Sequence, residues 1–166
     1  MNLKKFNIFF FTLFFCTKLL AAENSSHQYN FFTGNFDFSD DKQSALLAGF
    51  QHQNETLERN TFIGNISPIT GGFLTENNAY YLYTGAQAEY DLGMFTITPS
   101  FAPGYYSSGD GKDLGHSLEF KSEVQMSLNL SDSTQFGMSY NHISNASLGD
   151  KNPGANSYMI NFLKQF

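Results

Sequence analysis

Tryptophan is absent from the 166 residues, cysteine occurs once, and charged residues make up only 14 %. Soluble domains carry roughly 25 % charge, so this supply is thin for a surface that faces water on every side. Basic residues are the scarcer sign, nine against fifteen acidic, and the formal net charge is −6. That excludes nucleic acid as a partner, because phosphate binding needs clustered cations. No apolar run reaches the roughly 20 residues that a membrane helix requires. A mean hydropathy of −0.30 likewise excludes a bundle of membrane helices, and the length excludes two sizeable domains. What the chain has in quantity is aromatic side chains: 19 Phe and 9 Tyr, 17 % with no Trp among them. Few charges, many aromatics and modest hydropathy fit a chain whose side chains alternate between lipid and water.

The first 22 residues stand apart. Lys4 and Lys5 precede an almost unbroken apolar run over 6–16, and Ala21-Ala22 leads into Glu23-Asn24-Ser25-Ser26. A basic start, a short apolar stretch and a small-residue cleavage site make a secretory signal peptide, so residues 1–22 are expected to be cleaved. Removing 22 of 166 residues leaves 144, and losing Lys4, Lys5 and Lys18 takes the charge from −6 to −9. The only cysteine, Cys16, goes with the signal. The mature chain then has no disulfide, which fits bacterial export better than a small stapled domain.

Residues 23–166 read as strands. In Leu118-Glu119-Phe120-Lys121-Ser122-Glu123-Val124-Gln125-Met126-Ser127-Leu128-Asn129-Leu130 the apolar residues share one parity, and Glu119, Lys121, Glu123, Gln125 and Asn129 the other. Period-2 alternation over about ten residues is the pattern of an outer-membrane barrel strand. Similar runs lie near 27–38, 44–54, 58–70, 78–91, 94–106, 133–145 and 156–166, which makes eight. Asp91-Leu92-Gly93 and Ser131-Asp132-Ser133 read as short turns, and 71–78, 107–114 and 146–155 as longer links. The last run closes on Phe166, with Phe162, Ile160 and Tyr158 on the same face and Lys164 interrupting it. The expected fold is all-β, an eight-stranded antiparallel transmembrane β-barrel of the bacterial outer membrane. The aromatics are expected largely on the parity that faces lipid. A barrel of this size is filled by side chains, so a water-filled pore is not expected.

Four histidines remain after cleavage. His27, His52 and His116 have ordinary neighbours, but His142 opens His142-Ile143-Ser144-Asn145-Ala146. In a strand, residues 142 and 144 point to one face, and a hydroxyl beside an imidazole is the smallest nucleophile–base pair for acyl transfer. Their parity is that of Phe136, Met138 and Tyr140, the lipid-facing one. Polar residues there are costly unless they are functional or lie at headgroup level. No His, Cys or carboxylate cluster has metal-ligand spacing, and no cofactor is expected.

The segment 136–166, with His142-Ile143-Ser144-Asn145-Ala146 and Asn152-Pro153-Gly154, resembles the PagL-type lipid A 3-O-deacylases. The likeness is best over about the last fifty residues, including 114–120, and rests on strand pattern alone in the first half. The resemblance implies an eight-stranded outer-membrane barrel that hydrolyses the ester-linked 3-hydroxyacyl chain at the 3-position of lipid A. It implies Ser144 as nucleophile, His142 as its base, and Asn145 and Ala146 beside the oxyanion. In the family an acidic residue, typically Glu, on the last strand orients the histidine; ungapped counting puts Asn156 there. An amide can hold an imidazole tautomer but brings no negative charge, which leaves Asp150 as a substitute to consider. The implied partner is lipid A or lipopolysaccharide in the outer leaflet, with a homodimer left open. Two other readings remain: a structural barrel without catalysis, and an outer-membrane phospholipase using Ser, His and Asn, whose larger twelve-stranded barrel 144 residues cannot build.

Overall fold

The computed structural model describes residues 27–40 and 42–166; the expected signal peptide over 1–22 lies outside the described residues. Eight long strands make up the molecule: β1 (His27–Phe36), β2 (Ala45–Asn54), β3 (Gly64–Thr75), β4 (Tyr80–Ala88), β5 (Phe95–Ser107), β6 (Leu118–Ser131), β7 (Thr134–Ser144) and β8 (Ala155–Gln165). Each pairs antiparallel with the next. Strand β8 then pairs antiparallel with β1, from Gln28↔Gln165 to Asn35↔Tyr158, and closes the barrel. Closure leaves no long edge with unpaired backbone groups, the condition for spanning hydrocarbon.

The eight runs of alternation correspond to the eight strands, with two local corrections. The run expected over 58–70 contains a tight turn. Arg59–Thr61 folds back on the start of β3, pairing Thr61↔Gly64, and the turn passes through the exposed Phe62 and Ile63. Strand β3 correspondingly extends to Thr75, so the link expected over 71–78 is shorter than its Gly-Gly suggested. Gly71 and Gly72 are strand residues in close quarters: an added Cβ would lie 2.6 Å from the Phe50 carbonyl and 2.7 Å from that of Tyr81. The second correction lies at Glu89, where β4 ends and Tyr90–Asp91 pairs separately with β5.

The wall has the two faces that alternation demands. Leu46, Leu74, Leu82, Phe101, Val124, Met126, Phe136, Met138, Ile160 and Phe162 are exposed around the outside. So continuous an apolar girdle is stable only against lipid. Inside, amides and charges bond to one another. Asn30 donates to Gln125 at 3.1 Å and to Asn161 at 3.1 Å, and Gln51 donates to Gln87 at 2.9 Å. Lys121 and Glu123 pair at 3.4 Å, both nearly sealed from solvent. Unpaired, such groups would each cost free energy in a low dielectric.

The expectation that aromatics largely face outward needs amendment. Phe32, Phe36, Phe73, Tyr81, Tyr83 and Tyr106 are buried inside the barrel. They pack against one another with tilted rings, Phe36 against Phe73 at 5.7 Å and Phe73 against Tyr81 at 5.8 Å, and with Leu47, Leu114 and Ile143 they plug the end away from the termini. Eight strands leave a bore that large side chains can fill. Lys164 also finds its explanation: its ammonium reaches the Ser133 and Thr134 hydroxyls at 2.7 and 3.1 Å, at the turn below the girdle.

Candidate active site

Strands β7 and β8 carry the site at the end of the barrel away from the termini. Their register sets His142 directly opposite Asn156, with Tyr140 opposite Tyr158 one row below and Met138 opposite Ile160 below that. Rows on one face are about 6.6–6.8 Å apart along a strand. All six side chains therefore form a column down the outer wall, polar at the top and apolar beneath. Ser144 ends β7 one row above His142, paired with Phe120 of β6.

His142 Nδ1 lies 2.8 Å from Asn156 Oδ1. The same oxygen accepts from the Tyr140 hydroxyl at 2.8 Å, while Asn156 Nδ2 donates to Ser39 Oγ at 3.3 Å. With Nδ1 facing an amide oxygen, the proton belongs on Nδ1 and the Nε2 lone pair is left open. No hydrogen bond joins Ser144 to His142 among the described residues. Such contacts commonly tighten only when substrate arrives.

Asn145 follows Ser144 but turns inward and is fully buried. Its Nδ2 donates to the carbonyls of Leu114 at 2.7 Å and Lys151 at 2.8 Å, and its backbone N–H donates to Asn152 Oδ1 at 3.1 Å. The side chain thus lashes together the two loops above the site. Lys151 reinforces the link through Asp113 at 2.7 Å, and that contact, with the Gly115 N–H, holds the Asp113 carboxyl below its ordinary range. Ala146 is exposed, and it and Ser147 take positive φ, 52° and 64°, in a turn closed by Leu148 N–H on the Asn145 carbonyl at 3.0 Å. The Ala146 N–H donates no hydrogen bond among the described residues. Asp150 is exposed and makes no hydrogen bond to His142, so Asn156 alone occupies the orienting position.

Four neighbours of the site were not singled out from the sequence as site residues. Tyr140 was read only as lipid-facing, Gly154 only as part of a motif, and Asp37 and Ser39 belong to the distant β1–β2 connection. Gly154 has φ +63°, and a Cβ added there would sit 2.8 Å from His142 Cε1 and 3.3 Å from Nε2. Gly154→Ala is therefore expected to push the imidazole aside. Misplacement on this scale costs about 10–100-fold in rate, read as kcat of the folded barrel. Because alanine is strained at this positive φ by about 1–2 kcal/mol, thermal stability is expected to fall as well.

Aliphatic and aromatic on the outside, polar within and closed on itself, the molecule is a small barrel of the outer-membrane class, with hydroxyl, imidazole and amide grouped on its outer wall. The chain belongs to the lipid A 3-O-deacylase (PagL) family, which it matches over residues 21–164. Among solved structures it is similar to the crystal structure of the outer membrane enzyme PagL. That likeness has 19 % identity and a TM-score of 0.66, covering 84 % of this chain and 99 % of the other. It is also similar to a de novo designed transmembrane β-barrel, at 8 % identity and TM-score 0.54, covering 87 % of this chain and 98 % of the design. Neisserial surface protein A follows at 9 % identity and TM-score 0.50, with 84 % and 96 % covered. At such identities the structures speak for the fold; the family match speaks for lipid A ester hydrolysis. No curated protein sequence matches the chain.

Proposed function

We propose that this barrel hydrolyses the ester that holds the 3-hydroxyacyl chain at the 3-position of lipid A, with Ser144 as nucleophile, His142 as base and Asn156 as the group that orients the base. The observation that carries this reading is the 2.8 Å contact of His142 Nδ1 with Asn156 Oδ1 on the lipid-facing wall, one strand repeat below Ser144. His142 Nε2 takes the Ser144 proton as Oγ attacks the ester carbonyl. The Ala146 N–H is the backbone donor proposed for the developing oxyanion, since the Asn145 N–H is already committed to Asn152 Oδ1. Collapse of the tetrahedral adduct expels the sugar hydroxyl, which recovers the proton from His142. Water then hydrolyses the acyl-serine by the same proton path and releases a 3-hydroxy fatty acid. With both termini in the periplasm, the site meets the outer leaflet, where lipid A resides; export by a signal over 1–22 belongs to the same reading.

The wall below the dyad supports a lipid substrate. A shallow apolar groove of about 370 Å³ crosses β7, β8, β1 and the start of β2, lined by Met138, Tyr158 and Ile160 on one side and Thr33, Gly34 and Leu46 on the other. An acyl chain attached at Ser144 would descend along it, parallel to the lipids. Thr33→Phe partly fills the groove. It is expected to lower kcat/KM on lipopolysaccharide about tenfold, roughly 1.4 kcal/mol, and to leave a short-chain nitrophenyl ester within twofold. The proposal itself is tested with purified barrel in detergent and lipopolysaccharide. Released 3-hydroxy fatty acid supports it, and its absence at high enzyme concentration contradicts it.

A further inference from the structure

The site as described lacks the negative charge that usually stands behind a catalytic histidine, yet a carboxylate lies three hydrogen bonds from the imidazole. Asp37 follows β1, is fully buried and has φ 51°. Its Oδ2 accepts from Lys112 Nζ at 2.5 Å. Its Oδ1 accepts from Ser39 Oγ at 3.2 Å and from the Asn156 backbone N–H at 3.3 Å. The Phe38 N–H bonds the Asn156 carbonyl at 3.0 Å, and the Phe38 ring packs on Tyr158 at 4.4 Å. Segment 37–39 is therefore fastened to β8 by backbone, side chain and ring contact at the residue that faces His142.

The chain of contacts runs from the Asp37 carboxylate to Ser39 Oγ, to the Asn156 amide, to His142 Nδ1. An amide and a hydroxyl can each be turned end for end, so neither Ser39 nor Asn156 sets a direction alone. An ionised carboxylate only accepts. Ser39 must then spend its single proton on Asp37 and accept from Asn156 Nδ2. That turns Asn156 Oδ1 toward His142, and an amide oxygen can only accept, so the imidazole proton sits on Nδ1. We propose that Asp37, acting through Ser39, is a positioning residue that polarises Asn156 and holds His142 in the tautomer with Nε2 free to act as base. Asp37 thereby replaces at a distance the carboxylate missing at position 156. Lys112 pairs with the other oxygen and so does not compete for Oδ1. Without the carboxylate, Asn156 can present Nδ2 to His142, which leaves the proton on Nε2 and the base disabled. The proposal rests on the reading of Ser144 and His142 as the catalytic pair for its rate consequence, but the tautomer can be read without turnover.

The test is nitrogen NMR of the full barrel, histidine-labelled with nitrogen-15, in detergent at a pH where His142 is neutral, with its signals identified by their loss in His142→Gln. The wild type is expected to show a protonated Nδ1 and a bare Nε2. Ser39→Ala, which leaves the Asp37–Lys112 pair in place, is expected to shift His142 toward the Nε2-protonated form. Lys112→Gln, which leaves the carboxylate, is expected not to. In turnover, Ser39→Ala is expected to lower kcat at least tenfold with KM within twofold, and Ser39→Thr to restore it. In an Asn156→Glu background, where the carboxylate touches the imidazole directly, the Ser39→Ala loss should vanish. A merely structural Ser39 would lose activity equally in both backgrounds. An unchanged His142 tautomer in both Ser39→Ala and Asp37→Asn overturns the proposal. A wild type with the expected tautomer and no deacylation would instead overturn the catalytic reading and leave this one standing.

Discussion

Replacing Ser144 by Ala is expected to lower lipid A deacylation by about 10³–10⁶-fold in kcat, the range seen when the nucleophile of a Ser-His site is removed. The measurement is release of 3-hydroxy fatty acid by purified barrel, with folding checked by heat-modifiable gel mobility. Ser144 is half-buried at the end of β7, and it donates no hydrogen bond among the described residues, so its loss leaves the wall's own bonding intact. The substitution also makes that wall more apolar, which lipid tolerates. Activity should therefore fall while the barrel stays folded. A Ser144→Ala barrel as active as wild type would remove the serine from the chemistry.

Position 156 carries the second large effect, and it runs in both directions. Asn156→Leu is expected to lower kcat by about 10²–10⁴-fold, because the His142 ring loses the oxygen that fixes its tautomer. Loss of an orienting carboxylate elsewhere costs about 10⁴ through that same error. Asn156→Glu is expected to raise kcat about tenfold. Asn156 already presents an oxygen to Nδ1 at 2.8 Å, so what it lacks is charge rather than geometry. A charge-assisted hydrogen bond is roughly twice as strong as a neutral one, and each 1.36 kcal/mol gained in the transition state is tenfold in rate. Steady-state kinetics on lipopolysaccharide decide both. A Glu variant slower than wild type, with its barrel intact, would mean that the site is tuned to the amide.

The fold was legible because a transmembrane barrel writes its constraint into every strand. One face must be apolar along its whole length, so Leu118 to Leu130 alternates without help from distant residues. The interior was less legible. Phe36, Phe73, Tyr81 and Tyr106 face inward because the end away from the termini is plugged rather than wetted, and local alternation does not separate a buried aromatic from one in lipid. The hairpin at 61–64 leaves no mark in the sequence because Phe62 and Ile63 continue the apolar composition straight through the turn. At the candidate site, the proximity of His142, Ser144 and Asn156 was legible because two adjacent strands carry them within 15 residues. Asp37 and Ser39 were not, since only barrel closure between β1 and β8 brings them beside Asn156 from more than a hundred residues away. Asn145 shows a further limit: parity places it inward, but its bonds to Leu114 and Lys151 depend on loops that periodicity does not describe.

The central claim, that this barrel removes the 3-position acyl chain from lipid A in the outer leaflet, is tested most directly by the mass spectrum of lipid A from a Gram-negative host expressing the full chain. The account expects lipid A lighter by one 3-hydroxyacyl group, with the loss more complete for Asn156→Glu and absent for Ser144→Ala. An unchanged acyl pattern for both the wild type and Asn156→Glu, with each barrel folded in the outer membrane, would contradict it.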